Sequence, residues 1–122
     1  RHFCIETLSS YTDDNQACIS EVELLDDKGQ VIDKTKWKVV YVDSELADQN
    51  LGVGENLYDG DVSSFWHTAP TAKASHPHQI IIDMQEIYKV TAFRVKLREG
   101  SFLSGKVKEF QLYTRPQFFL FH

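Results

Sequence analysis

Apolar and polar residues alternate along most of this chain with a period of two. From His2 to Ser10, Phe3, Ile5 and Thr7 alternate with His2, Cys4 and Glu6, which predicts a half-buried strand. Tyr11 to Gln16 reads as a polar loop. Ile19, Val22, Leu24 and Leu25 follow with acids between them, and Asp26-Asp27-Lys28-Gly29 closes that segment with strong turn chemistry. Trp37 to Val42 is the next apolar strand. From Asp43 to Ser64 the chain turns to acids, amides and glycines, a long loop or short-helix region of the kind that carries function in compact domains. His78 to Met84, Tyr88 to Leu97 and Val107 to Thr114 are three further β-rich runs. Helical character is confined to Glu45-Leu46-Ala47 and to Glu55 to Tyr58, each about one turn and too short to stand alone. The expectation is one all-β domain over residues 1–122, an antiparallel β-sandwich of the jelly-roll type.

Composition narrows the function classes. With 42% of its 122 residues hydrophobic, the chain can bury a core without metals or disulfides. Thirteen Lys and Arg against 18 Asp and Glu leave a net charge of −5, which repels phosphate backbones and anionic lipid, so nucleic acid and membrane insertion are not expected. No run approaches the roughly 20 apolar residues of a membrane-spanning helix, and no charged-then-apolar leader stands at the amino end. Cys4 and Cys18 have the spacing of neither a redox motif nor a zinc knuckle; they either pair or are both free, and the compartment stays open.

Glu55 to Thr68 (ENLYDGDVSSFWHT), then His76-Pro77-His78-Gln79-Ile80-Ile81-Ile82-Asp83-Met84, then Phe93-Arg94 to Arg98, resemble the F5/8 type C (discoidin) domains. The resemblance is closest to family 32 of the carbohydrate-binding modules, attached to bacterial sialidases and other glycosidases. Arg1 to Ser10 and Ala17 to Leu25 resemble the strands that normally close such a domain, so the strand order is expected to be rotated on a galactose-binding-domain-like sandwich. Gln85 stands where the family carries a turn glycine.

Asp59-Gly60-Asp61 followed by Ser64 places two carboxylates and a hydroxyl on a tight turn, hard oxygen donors suited to Ca²⁺ or simply a turn that caps itself. The resemblance implies a structural calcium held by Asp59, Asp61, Ser64 and Glu21, with the Asn56 and Ser20 carbonyls as further candidates. It also implies a sugar site in which His67 and Arg98 meet an axial hydroxyl. Ser104 stands where an assisting amide is usual, and Asn50 near the place where some members use an acid. Taken alone, His67 is as readily a loop histidine bonded to backbone, and Arg98 a solvated charge. Pro70 replaces the tryptophan that several sialidase-linked modules use as a stacking plate. Phe102 is the candidate substitute, or else it tucks with Leu103 under its own loop. His76 and His78 flank Pro77 and with His67 could suggest zinc, but no fourth ligand is in view.

No acid lies in an apolar stretch that would tune it for glycoside hydrolysis, and no nucleophile motif is present. Catalysis is thus not expected, and the resemblance implies a non-catalytic, calcium-stabilised module that binds terminal galactose-type sugars of glycans. It would act beside the catalytic domain of a parent glycosidase, as a monomer in a secreted, periplasmic or cell-surface protein. The alternatives are a discoidin-type adhesion or protein-interaction domain, supported by Phe102-Leu103, and a structural spacer. Phe118 to Phe121 are too apolar for a free tail and are expected either inside the domain or under another one.

Overall fold

The computed structural model describes residues 1–12, 15–69, 76–100 and 105–115. Among these, eight strands and two short 3-10 segments form an all-β antiparallel sandwich: β1 (His2–Ser10), β2 (Cys18–Ile19), β3 (Glu21–Leu25), β4 (Lys38–Val42), β5 (Trp66–His67), β6 (His78–Asp83), β7 (Ala92–Lys96) and β8 (Val107–Arg115). Four strands join in the order β4-β6-β1-β8, while β3 pairs with β7 and β2 with β5. All of these named pairings are antiparallel. The last described strand thus lies beside the first, with Phe3 opposite Ile82 on one side and Thr114 on the other.

Alternation along the strands builds the core. Phe3 and Ile5 of β1 and Ile80 and Ile82 of β6 face Val22 and Leu24 of β3, with Ile19, Leu57 and Trp66 closing the ends. Each such burial is worth about 1.5–3 kcal/mol against about 0–1 for an exposed ion pair, so apolar burial holds the sandwich. Trp37 packs edge-on between Phe3 and Tyr58, with ring centroids 5.1 and 5.7 Å away.

Three expectations change. β1 is not half-buried in its first half: Cys4, on the face opposite Phe3, is also buried, with Tyr113 standing across from it on β8. The Tyr88 to Leu97 run pairs only over Ala92–Lys96, since Tyr88 and Val90 pack against the core without joining a ladder. The first helical turn falls at Asp48–Asn50 and not at Glu45 to Ala47, where Leu46 instead bridges to Gly52; the second, Gly54–Tyr58, falls close to its expected place.

Candidate functional site

β2 and β5 carry the centre of the site. Alternation on β5 sends Trp66 inward, where it is fully buried and its indole N–H donates to the Ser44 carbonyl at 3.0 Å. Phe65 and His67 therefore share the other face, with ring centroids 6.2 Å apart in an edge-on arrangement. The loop before β5 closes against this strand. Leu46 N–H donates to the His67 carbonyl and His67 N–H to the Gly52 carbonyl. A side chain at position 52 would place its Cβ 2.9 Å from the Cβ atoms of both His67 and Leu46, so glycine is what allows the approach.

His67 is 8% exposed, and its Nδ1 lies 2.6 Å from the Thr68 carbonyl. A carbonyl only accepts, so Nδ1 carries the proton and, in the neutral ring, Nε2 keeps its lone pair. Arg98, two residues beyond β7, lays its guanidinium over the Phe65 ring at 4.2 Å from the centroid. It is thus not a purely solvated charge: a cation–π contact of about 0.5–2 kcal/mol restrains it. The structure gathers His67 and Arg98 about a common neighbour, Phe65, which sequence reasoning passed over. The signal was available, because residues two apart on a strand share a face.

Cys18 pairs directly with His67 across β2 and β5. Burial pushes its thiol up to about 11, against the nearby Arg98 and Lys106 charges, so it stays protonated at neutral pH. Cys4 and Cys18 are both free and buried.

Asn50 is exposed, in a left-handed conformation at φ 55°, and lines a recess with Glu45, Ala47, Val53, Glu55 and Asn56. The recess lining does not include His67 or Arg98. Ser104, Phe102, Leu103, Pro70 and Phe118 to Phe121 lie outside the described residues.

The second cluster forms where the turn after Tyr58 meets the start of β3. Gly60, at φ 78°, donates its N–H to Glu21 Oε2 at 3.3 Å, and Lys34 donates to the same oxygen. Ser20 Oγ faces the Val62 and Ser64 carbonyls at 2.7 and 3.0 Å, tying the turn to the strand. Ser64 Oγ faces both Asp59 Oδ2 and the Asp61 carbonyl, two acceptors for a single hydroxyl proton. Glu21 is 6% exposed, and its Oε1 has no hydrogen-bond partner. Burial pushes its carboxyl up, opposed by Lys34 and the Gly60 N–H and reinforced by the charge of Asp59.

Asp61, one of the expected donors, is engaged within its own turn. Its Oδ1 accepts from Ser63 N–H and Ser63 Oγ at 2.9 and 2.6 Å, and its carbonyl faces Ser64 Oγ. An orphaned buried carboxylate oxygen and a surplus of acceptors over protons fit a hard cation bound through oxygen. Among the described residues no three His, Cys, Asp or Glu side chains converge on a metal position. His78 opens the internal strand β6 and is fully buried, with its ring nitrogens 2.8 Å from Asp43 Oδ2 and 2.7 Å from the Asn15 carbonyl.

Comparison with known proteins bears on the whole arrangement. Residues 40–117 match the F5/8 type C domain family. A sialidase of Micromonospora viridifaciens is 27% identical over 86 residues, which is 69% of this chain and 13% of the sialidase. The matched stretch begins within β4, so β1 lies outside it and yet hydrogen-bonds between two strands that belong to it. A match over most of the chain, on an antiparallel sandwich, makes this chain a member of the F5/8 type C family of non-catalytic domains.

Proposed function

We propose that the domain binds a terminal galactose-type sugar at the face shared by His67, Phe65 and Arg98. The observation that carries this reading is the contact of His67 Nδ1 with the Thr68 carbonyl, together with the guanidinium held over Phe65. A neutral imidazole Nε2 accepts, and Arg98 only donates. A sugar hydroxyl does both, so its chemistry suits a neutral imidazole and a guanidinium together, which that of an ammonium, a carboxylate or an apolar side chain does not. Phe65 keeps Arg98 from collapsing onto solvent and lowers the ordering cost of binding.

Glu21 Oε1, Asp59, Ser64 and the Asp61 carbonyl would hold a calcium ion, which supplies charge neutralisation and ties the turn to β3. Its contribution is rigidity, not chemistry. Through its relation to a sialidase region, the domain is read as the targeting part of a larger secreted or surface glycosidase, raising the local glycan concentration for a catalytic partner.

The test is a glycan array with calcium present, run with the wild type, His67→Ala and Arg98→Ala. Signal on terminal galactose or N-acetylgalactosamine is expected, falling by about tenfold or more in each variant. Silence from a folded wild type overturns the sugar reading and leaves the protein-interaction or spacer role.

A further inference from the structure

Lys34 comes from the connection between β3 and β4, a segment unrelated to the turn that supplies Asp59 and Ser64. Its side chain is 22% exposed, so most of it has been withdrawn from water, whereas lysine ammonium groups ordinarily stay solvated. It donates to Glu21 Oε2 on a carboxylate whose other oxygen, Oε1, is buried and bare. Glu21, with the charge of Asp59 close by, thus has one ammonium against it, and the cluster keeps acceptors left over. A lysine buried against one oxygen of such a carboxylate has the position of a counter-cation.

We propose that Lys34 is a built-in competitor for the cation at Glu21: its ammonium holds the ion-free cluster together, and calcium binds against it. This rests on the cation reading of the Glu21 cluster. A divalent ion on Glu21 meets a like charge in a partly buried place where screening by water is weak. Either the ammonium leaves for solvent or it stays and repels the ion; both lower calcium affinity. In return, the turn that carries Asp59 and Ser64 is not left with two unbalanced carboxylates when calcium is scarce, so the domain keeps its shape.

Lys34→Met retains the aliphatic stem and removes the charge. Calcium titration by calorimetry, with melting followed in chelator and in saturating calcium, is the experiment. The variant is expected to bind calcium about tenfold tighter than the wild type or more, and to melt lower in chelator, with the gap closing as calcium is added. Lys34→Arg should return the affinity to the wild-type level, and Lys34→Gln serves if the Met variant does not fold. Equal or weaker binding by a folded Lys34→Met or Lys34→Gln, with binding abolished by Glu21→Gln, overturns the competitor role and leaves the cation site standing. No calcium binding by the wild type or any Lys34 variant overturns both.

Discussion

At the scale of single residues, the site depends on side chains that hold other side chains. His67 owes its tautomer to the Thr68 carbonyl, and Arg98 owes its place to Phe65. Phe65→Leu keeps most of the apolar volume and removes the aromatic face. Sugar affinity should fall several-fold, about the 0.5–2 kcal/mol of a cation–π contact, while the fold loses under about 1.5 kcal/mol. Parallel glycan binding and thermal melting separate the two effects, and an unchanged affinity would show that Phe65 does not position Arg98. His67 and Arg98 were legible as candidates because they stand in a recognisable motif. Phe65 was not, because its partner is distant in sequence and only the fold brings Arg98 over the ring. Nor was Lys34: nothing in Asp33-Lys34-Thr35-Lys36 distinguishes the lysine that turns inward from the one that stays in water.

At the scale of elements, alternation located the strands well and their ends less well. Val107–Arg115 and His78–Asp83 lie within a residue or so of where the pattern put them, since their apolar positions face the core and their ladders run the full length. Tyr88 and Val90 show why the pattern overshoots, because a side chain can be drawn to the core from a segment that pairs with nothing. Turn chemistry was legible at one particular departure. Gln85, in the place of an expected glycine, adopts φ 70°, and its N–H donates to Asp83 Oδ1 at 2.8 Å. The left-handed region costs an L-residue about 1–2 kcal/mol, whereas glycine there loses about 0.5–1 kcal/mol through its freer unfolded chain. Gln85→Gly should therefore stabilise the domain by about 0.5–1 kcal/mol, read as a higher denaturant midpoint at constant slope. A lower midpoint would mean that the Gln85 side chain contributes more than its backbone conformation costs.

At the scale of the whole molecule, one charged pair clamps the first strand to its neighbour. Arg1 Nε and an Nη atom donate to the two oxygens of Asp83 at 2.9 and 3.1 Å, and His2 Nε2 lies 3.5 Å from the same carboxylate. Burial works against ionising Asp83, but Arg1, the Gln85 N–H and His2 together outweigh it and hold the carboxyl below the ordinary aspartate range. A depressed carboxyl contributes stability that is fully present above the unfolded value, about pH 4, and is lost as pH falls through the lower folded value. Asp83→Asn should melt lower at neutral pH and lose less on acidification than the wild type. Melting temperatures from about pH 7 to about pH 2 test this, and parallel curves would assign acid lability to other carboxylates. The global arrangement was legible only through family likeness. Periodicity alone names strands and leaves their order open, because which strand pairs with which is a matter of long-range contacts.

That order bears on how the polypeptide acquires its shape. β1 is made before every other strand, yet its two neighbours are β6 and β8, and the Arg1 bonds that mark those pairings reach residues 82 and 114 positions onward. During synthesis its apolar face and both its hydrogen-bonding edges wait for partners that are among the last to emerge. Contacts this remote in sequence make for slow folding, and an unpaired apolar strand invites wrong pairings in the interval. The hazard for this domain thus lies in the interval before β6 and β8 become available to β1, a matter of timing and not of the stability of the finished sandwich.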